Sequence, residues 1–251
     1  MGSGPRSDRT GFTPPRLTRR LQLQALIWGQ NERQSRPRMF SKMYQTLAVF
    51  LLTAVFSAPV SAFAEPLKLV VLGDSLSAGY LLAPDEAFPT QLEAALEKRG
   101  HEVEVINAGV SGDTTADGLA RLDWSVGPDA RAVIVELGAN DALRGLPPEK
   151  TRENLSEIVS RLTDRNVKVL VAGMLAPRNL GEDYATRFDP IFADVARIHG
   201  AMLYPFFLQG VAMRPELNLA DGMHPTGEGV SIIVENMLPA VEDLIERAGA
   251  S

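Results

Sequence analysis

The amino-acid sequence from residue 65 onward predicts an α/β fold, a three-layer α/β/α sandwich around a doubly wound, five-stranded parallel sheet of the flavodoxin-like type. Short apolar runs alternate with longer helical patterns along this part of the chain, as in successive β-α units. The apolar runs are rich in Val, Ile and Leu with little polar alternation, which is typical of parallel strands covered by helices on both faces. About 187 residues remain after residue 64, a length that suits one domain with one hydrophobic core.

Five apolar runs are the predicted strands, and helical patterns lie between and after them. The strands are Leu67–Gly73, Glu102–Ile106, Ala132–Gly138, Val167–Met174 and Ala201–Tyr204. The helices lie near Pro89–Arg99, Thr115–Asp123, Thr151–Arg165, Tyr184–His199 and Gly227–Arg247. Thr151 is the expected N-cap of its helix because Pro147 and Pro148 precede it. Gly100 and Gly200 follow helical patterns where a left-handed residue commonly ends a helix.

Residues 1–64 are predicted to be an N-terminal leader and a signal peptide rather than part of the folded domain. A basic start at Met39–Met43 precedes an apolar run, Leu47–Phe56, and the segment ends on small residues up to Ala64, as in a secretory signal peptide. The apolar run is shorter than the ~20 residues that a membrane span needs. We therefore expect cleavage after Ala64, a mature chain with no stable membrane span, and a periplasmic or secreted protein. An uncleaved N-terminal anchor is the alternative.

Charge and cysteine content exclude several classes of protein. Residues 1–64 contain nine Lys or Arg and two acidic residues, whereas residues 65–251 contain sixteen basic and twenty-nine acidic residues. An acidic domain lacks the basic surface that nucleic-acid binders need, so no nucleic-acid partner is expected. The chain has no cysteine, which excludes disulfides, a thiolate nucleophile and cysteine-ligated metal sites.

Polar segments suited to chemistry follow the predicted strands directly. They are Gly73–Tyr80, Asn107–Thr114 and Gly138–Asp141, with a fourth, Asp221–Pro225, before the last helix. Each segment alone has the composition of an ordinary turn. In doubly wound sheets, however, the chemistry lies beyond the carboxyl ends of the strands, so we expect these segments to meet at one edge.

Ser75, His224 and Asp221 are the candidate catalytic residues. A serine hydroxyl becomes a nucleophile when a neighbouring base takes its proton and a third group orients that base. Of the three histidines, His101 is expected at the surface and His199 at a helix end, which leaves His224 in a loop at the active edge. Asp221 lies three residues before His224, so a short turn directs its carboxylate to Nδ1 and leaves Nε2 for Ser75.

Acyl transfer also requires donors for the oxyanion of the tetrahedral intermediate. The Ser75 N–H, the Gly112 N–H and the Asn140 side-chain amide are the candidates, one from each loop after the first three strands. The nearby carboxylates of Asp74, Asp113 and Asp141 are expected to accept hydrogen bonds that fix these loops. No His or second carboxylate has metal-ligand spacing beside them, so neither a metal nor another cofactor is expected.

Together the four segments resemble the four blocks of the SGNH (GDSL-type) hydrolase family over nearly all of residues 65–251. The resemblance implies that Ser75 is the nucleophile, that Asp221 and His224 complete the triad, and that Gly112 and Asn140 form the oxyanion hole. Gly-Asp-Ser-Leu-Ser-Ala-Gly-Tyr and Asp-Gly-Met-His-Pro are most similar to a bacterial periplasmic subgroup of arylesterase, acyl-CoA thioesterase and lysophospholipase activity. Ala139 departs from that subgroup, which often has a second glycine there. No Gly-x-Ser-x-Gly elbow occurs, which disfavours the α/β-hydrolase fold.

These residues predict hydrolysis of a small-molecule ester or thioester substrate with an acyl chain. Leu143, Leu146 and Pro177 are the candidate substrate-binding residues, and their apolar surface favours short to medium acyl chains. Packing roles, rather than substrate contacts, are expected of three other large apolar residues, Trp124, Met213 and Met223. Two alternatives stay open: a carbohydrate O-deacetylase of the same fold, and a non-catalytic flavodoxin-like module that binds an anion through backbone amides.

Overall fold

The sheet of this computed structural model, which describes residues 65–249, contains five parallel strands. They are β1 (Leu67–Gly73), β2 (Val103–Gly109), β3 (Ala132–Glu136), β4 (Lys168–Ala172) and β5 (Met202–Tyr204). Their order is β2-β1-β3-β4-β5, and every adjacent pair is parallel. The predicted doubly wound α/β fold is thereby confirmed. The predicted leader and signal peptide lie outside the described residues.

Nine α-helices connect or follow the strands within residues 65–249. They are α1 (Ser75–Ala78), α2 (Phe88–Lys98), α3 (Thr115–Ala120), α4 (Leu122–Ser125), α5 (Ala139–Leu143), α6 (Pro148–Asp164), α7 (Glu182–Phe188), α8 (Ile191–His199) and α9 (Gly227–Gly249). Short 3₁₀ turns span Pro84–Glu86, Arg178–Leu180 and Pro215–Leu217. Gly100 and Gly200 have φ values of 87° and 65°, so the prediction that each adopts the left-handed conformation after a helix is confirmed.

Two helices that were predicted as continuous are divided in the structure. The predicted helix Tyr184–His199 is α7 followed by α8, because Pro190 has no backbone N–H for a helical hydrogen bond and is suited to precede a new first turn. The predicted helix Thr115–Asp123 divides at Arg121 into α3 and α4. The backbone of Arg121 leaves the helical conformation there, with φ −102° and ψ 5°.

The prediction that Thr151 is an N-cap is wrong. Helix α6 begins at Pro148, a position that proline favours, and Thr151 lies inside its first turns. Thr151 is wholly buried, and its hydroxyl donates a hydrogen bond to Asp141 Oδ1 at 3.1 Å. Its polar group therefore holds α5, the short helix after β3, rather than the start of its own helix.

Helices cover the sheet in two groups. Helices α2 and α9 pack against each other, and α3 and α8 both pack against α6. In β1, β3 and β4 most residues are apolar and buried, as expected for a parallel sheet between two helical layers. Within residues 65–249, no helix combines the length and the apolar character that a membrane crossing requires.

Candidate active site

The carboxyl ends of β1, β2 and β3 are aligned in register. Gly73 pairs with Gly109 of β2 and with Glu136 of β3, so the segments after these strands leave the sheet at the same level. The strand order reverses between β1 and β3, and ligands of doubly wound sheets bind at such a point. The predicted convergence of the polar segments at one edge therefore follows from the register of three strands.

Ser75 is the first residue of α1 and follows β1 after a single intervening residue. That residue, Asp74, is the N-cap, and its side chain accepts a hydrogen bond from the Leu76 N–H at 3.0 Å. The short helix lies close to the end of β2, because a Cβ added at Gly109 would lie only 2.5 Å from Ala78 N. A glycine at this position is therefore required for the close approach that fixes the Ser75 turn.

Ser75, His224 and Asp221 form a continuous hydrogen-bonded series, which we call the relay. Ser75 Oγ lies 2.9 Å from His224 Nε2, and His224 Nδ1 lies 2.7 Å from Asp221 Oδ2. Because a carboxylate oxygen only accepts, His224 Nδ1 carries the hydrogen and Nε2 presents a lone pair to the Ser75 hydroxyl. The structure thus brings together the three residues that the sequence marks as candidate catalytic groups.

The loop that carries Asp221 and His224 is held by its own hydrogen bonds. Asp221 Oδ1 accepts from the backbone N–H groups of Met223 and His224 at 2.9 and 3.0 Å. These bonds, first that from His224, lower the pKa of Asp221 to about 2, and the His224 side chain adds to the effect. The Leu219 N–H donates to the His224 carbonyl at 2.7 Å and closes the loop. Asp221 is therefore ionised at neutral pH and holds the imidazole in one orientation.

The backbone donors among the three candidate oxyanion groups are available for a ligand. Gly112 has a φ of 90° in a turn closed by the Asp113 N–H and the Val110 carbonyl at 3.1 Å, a conformation that glycine adopts readily. Within residues 65–249, no hydrogen bond to another protein group uses the backbone N–H of Ser75 or Gly112. Both residues line the same cavity.

Asn140 is engaged on both hydrogens of its side-chain amide. Its Nδ2 donates to Asp74 Oδ2 at 3.0 Å and to the Asp113 carbonyl at 3.0 Å. These bonds connect the loop after β3 with the loops after β1 and β2. They fix the amide at the cavity, and a bond from it to a ligand requires one of the two hydrogens to be shared or exchanged.

The three carboxylates near the edge accept hydrogen bonds from neighbouring loops, which confirms the role predicted for them. Asp74 accepts from α1 and from Asn140 of α5, as described above. Asp113 Oδ2 accepts from Arg121 Nε at 2.6 Å. Asp141 Oδ2 accepts from the Thr115 N–H at 2.8 Å. Each carboxylate therefore connects two segments of the edge.

A second acid, Glu136, lies beside Asp74, and both are completely buried. Burial raises the pKa of Asp74 to about 6, although hydrogen bonds from the Leu76 N–H and the Asn140 amide act in the opposite direction. Burial and the neighbouring Asp74 charge raise the pKa of Glu136 well above its ordinary value. The edge therefore contains a buried acid pair in addition to the ionised Asp221.

An apolar cavity of about 760 Å³ opens beside the relay. Its volume lies in the range of small-molecule sites. Besides Ser75 and His224, most of the side chains that line it are apolar, among them Leu76, Tyr80, Leu143, Met174, Leu175, Pro177, Phe206, Leu208, Ala212, Met213 and Met223. The ring of Tyr80 also lies 4.5 Å from that of His224, centroid to centroid.

Two of the three candidate substrate-binding residues, Leu143 and Pro177, line this cavity, whereas Leu146 is not among its lining residues. The backbone turns at Gly145, which has a φ of 62°. The Leu146 carbonyl then accepts a hydrogen bond from the Tyr184 hydroxyl at 2.8 Å, which ties Leu146 to α7.

The expected packing roles of Met213, Met223 and Trp124 are wrong. Met213 and Met223 line the cavity and are 92% and 48% exposed, so they are available to a ligand rather than packed. Trp124 is 86% exposed on α4. Met213 and Met223 lie outside the helices and strands, where no periodic pattern indicates a buried side, and α4 is too short to show one.

Two residues that fix the site were missed in the sequence. Arg121 donates to the carbonyls of Gly73 at 2.9 Å and Ala108 at 2.7 Å, in addition to Asp113, and so joins the ends of β1 and β2 to the Gly112 loop. No signal distinguishes this arginine in a helical pattern. Glu136 does have a signal, because it is an acid that directly follows a run of apolar residues in a predicted buried strand.

Within residues 65–249, no group of three or more His, Asp or Glu side chains is arranged to hold a metal ion.

Comparison with known proteins identifies the family. Residues 71–232 match the model of the GDSL-like Lipase/Acylhydrolase family. The chain is 43% identical over 171 residues to an arylesterase of Vibrio mimicus, which covers 67% of this chain and 84% of that protein. It is 35% identical over 180 residues to thioesterase 1/protease 1/lysophospholipase L1 of Escherichia coli, which covers 71% of this chain and 85% of that protein.

A solved structure supports the same conclusion. The psychrotrophic esterase EstA from Pseudoalteromonas, in a structure inhibited by monoethylphosphonate, superposes with a TM-score of 0.68 at 29% identity and covers 71% of this chain and 98% of that chain. With its parallel sheet and the match over residues 71–232, this chain belongs to the GDSL-like lipase/acylhydrolase family.

Proposed function

We propose that the folded part of this chain is a serine hydrolase that cleaves carboxylic esters and thioesters through an acyl-enzyme on Ser75. Family membership and the relatives named arylesterase and thioesterase/lysophospholipase support the class of reaction. The single observation that carries the assignment of residues is the relay, with distances of 2.9 and 2.7 Å, beside an apolar cavity.

Acylation begins with transfer of the Ser75 hydroxyl proton to His224 Nε2 while Oγ forms a bond to the carbonyl carbon of the substrate. Asp221 keeps the imidazole oriented through Nδ1 and stabilises the positive charge that the imidazole acquires. His224 then returns the proton to the departing oxygen or sulfur as the bond to the leaving group breaks. The product is an acyl ester on Ser75.

Deacylation repeats the sequence with water as the nucleophile. His224 Nε2 accepts a proton from water as the water oxygen attacks the acyl carbon, and it then returns that proton to Ser75 Oγ. The carboxylic acid leaves and the relay is restored.

The negative charge that develops on the carbonyl oxygen is stabilised by the N–H groups of Ser75 and Gly112 and by the Asn140 amide. The two backbone donors have no protein acceptor among the described residues, which supports this role. Asn140 contributes by sharing the hydrogen that it gives to the Asp113 carbonyl. Its bond to Asp74 holds the amide in place during this exchange.

Substrates with an aliphatic or aryl acyl part fit the cavity better than substrates recognised as sugars. The lining by Leu143, Pro177 and Met213 supplies apolar surface, whereas recognition of a glycan depends on many polar contacts. This lining supports the ester and thioester assignment over carbohydrate O-deacetylation.

A fluorophosphonate probe tests the assignment of Ser75. We expect covalent labelling of the wild-type protein. Ser75→Ala and His224→Ala should not be labelled, and their turnover should fall by about 10⁴–10⁶-fold. Ser156→Ala is a matched control, because Ser156 Oγ also lies 2.7 Å from a histidine, His199, but not at the cavity. Labelling that persists in Ser75→Ala contradicts the proposal. Absence of labelling in the wild-type protein also contradicts it and favours a non-catalytic binding module.

A series of p-nitrophenyl esters from acetate to dodecanoate, with an acyl-CoA and an acetylated glycan, tests the substrate class. We expect kcat/KM to be greatest for short to medium acyl chains and negligible for the glycan. Activity confined to acetylated sugars contradicts this part of the proposal and favours an O-deacetylase.

We also propose that the protein is exported by residues 39–64 and is periplasmic or secreted after cleavage following Ala64. The signal-peptide pattern of the sequence supports this proposal. N-terminal sequencing of the processed protein should begin at Glu65, and a mature protein that retains residues 39–64 contradicts it.

A further inference from the structure

Glu136 is a buried acid that the proposed reaction does not use. It is the last residue of β3, where the other four residues are apolar, and its side chain has no exposed surface. Burial of an ionisable side chain is costly and therefore calls for a physical reason. Its register partner in β1 is Gly73, which places Glu136 at the start of the Ser75 turn.

One oxygen of Glu136 holds this turn on both sides of Ser75. Oε2 accepts a hydrogen bond from the Asp74 N–H at 3.2 Å and another from the Ser77 hydroxyl at 2.7 Å. Asp74 precedes Ser75 and Ser77 lies two residues after it, so both bonds restrain the backbone that presents Oγ. A Cβ added at Gly73 would lie 2.7 Å from Oε2, which shows how closely the backbone packs on the carboxyl group.

The other oxygen, Oε1, has no hydrogen-bond partner among residues 65–249. No basic group of the described chain forms an ion pair with Glu136. Burial and the Asp74 charge raise the pKa of Glu136 well above its ordinary value, which favours the uncharged form of the acid. Both donors, the Asp74 N–H and the Ser77 hydroxyl, need only an acceptor oxygen, which Glu136 supplies with or without a charge.

We propose that Glu136 is a positioning residue for Ser75, whose Oε2 fixes the Asp74–Ser77 turn so that Oγ stays within hydrogen-bond reach of His224. The inference rests on the proposed role of Ser75 as the nucleophile. Glu136 itself is not catalytic, because its hydrogen bonds are to Asp74 and Ser77 rather than to the relay.

The role requires an oxygen acceptor but not a charge, and two variants separate these properties. Glu136→Gln keeps an acceptor oxygen of the same reach and is neutral, so we expect kcat within about threefold of wild type. Glu136→Leu keeps an apolar volume but no acceptor, and displacement of a reacting atom by about 1 Å costs on the order of 10²-fold in kcat. KM should change little in either variant, because Glu136 does not line the cavity.

The experiment measures the rate of fluorophosphonate labelling of Ser75 together with kcat and KM for a p-nitrophenyl ester, with circular dichroism at the assay temperature to establish folding. Leu162→Ala is the stability control. Leu162 is a buried residue of α6 whose carbonyl accepts from the Val167 N–H just before β4 begins, at the opposite end of the sheet. It should lower the melting temperature and leave the labelling rate of the folded protein unchanged.

Slow labelling and low kcat in Glu136→Leu, with near-normal values in Glu136→Gln, support the inference. Wild-type labelling in a folded Glu136→Leu overturns it, as does an equal loss in Glu136→Gln, which would mean that the charge matters.

If Glu136→Leu does not fold, Ser77→Ala removes one of the two donors without a large change in volume. It should then lower kcat by about three- to tenfold at constant KM, and wild-type rates in Ser77→Ala overturn the inference. If wild-type Ser75 is not labelled at all, the proposed function itself fails.

Discussion

The acids near the carboxyl ends of the strands lie in two opposite environments. Asp221 lies in the loop before α9 with 32% of its side chain exposed, and hydrogen bonds from N–H groups lower its pKa to about 2. Asp74 and Glu136 lie at the ends of β1 and β3 without solvent contact, and burial raises the pKa of both. The fold therefore keeps Asp221 negatively charged beside His224, whereas it disfavours the charged forms of Asp74 and Glu136 at the Ser75 turn.

This difference indicates two uses for the same functional group. An ionised carboxylate orients and stabilises a histidine that must carry positive charge during the reaction. A buried carboxyl group with a raised pKa serves mainly as a hydrogen-bond acceptor, which fixes the position of donors around it. Substitutions at the two places should therefore alter activity to different extents and alter stability in different ranges of pH.

Removal of the exposed carboxylate should have the largest effect. In Asp221→Ala, His224 loses the acceptor at Nδ1, and we expect kcat to fall by about 10⁴-fold, as is typical when the acid of a triad is replaced. KM should change far less than kcat. Steady-state kinetics on a p-nitrophenyl ester measure both.

Asp243→Asn is the control for Asp221→Ala, because Asp243 is an exposed acid of α9 paired with Arg247 and does not line the cavity. It should retain wild-type kinetics. A kcat for Asp221→Ala close to that of the control would mean that the relay is not used.

Replacement of a buried acid should have a smaller effect, through geometry. In Asp74→Asn, the acceptor that faces the Asn140 amide is weakened or replaced by a donor, so Asn140 is no longer held at the cavity. Loss of one oxyanion donor costs about 10²–10³-fold, and we expect a fall in kcat of about 10²-fold at nearly constant KM.

Asp123→Asn provides the comparison for Asp74→Asn, since Asp123 is an exposed acid of α4 in an ion pair with Arg161. Rate constants should be unchanged in that variant. The distinction between the two acid environments is wrong if Asp74→Asn loses as much activity as Asp221→Ala, or none.

The relay was predictable from the sequence because its parts depend on the common direction of the strands and on short spacing along the chain. Parallel strands place the segments that follow them at one edge, and a carboxylate three residues before a histidine reaches it through a short turn. The role that we propose for Glu136 was not predictable in the same way. It depends on the register that pairs Glu136 with Gly73, and register is a property of two strands rather than of one segment.

The segments between and around the helices show the same limit. The break between α7 and α8 at Pro190 had a signal in the sequence, since proline lacks the N–H of a helical interior. The exposure of Met213 had no signal in the sequence. Met213 has a left-handed backbone, with φ 64°, and lies in a segment without a repeating pattern. Sequence therefore indicates the candidate catalytic residues of this site better than it indicates the residues that line the cavity.

The smallest predicted effect is on stability, and it has opposite signs for the two acids. Because folding raises the pKa of Asp74 from about 4 to about 6, its protonation favours the folded state. Its contribution to the free energy of unfolding is complete below pH 4 and is lost as the pH rises through about 6. Because folding lowers the pKa of Asp221 to about 2, its contribution is complete above pH 4 and is lost as the pH falls through about 2.

Urea unfolding of wild type, Asp74→Asn and Asp221→Asn between pH 2 and pH 8 measures these contributions. Asp74→Asn should flatten part of the decline between pH 4 and pH 7, by on the order of 1 kcal/mol. The raised pKa of Glu136 contributes to the decline that remains. Asp221→Asn should flatten the decline below pH 4 by a smaller amount, because solvent screens an exposed pair. If both variants change the same range of pH, the two acids share one environment and the comparison fails.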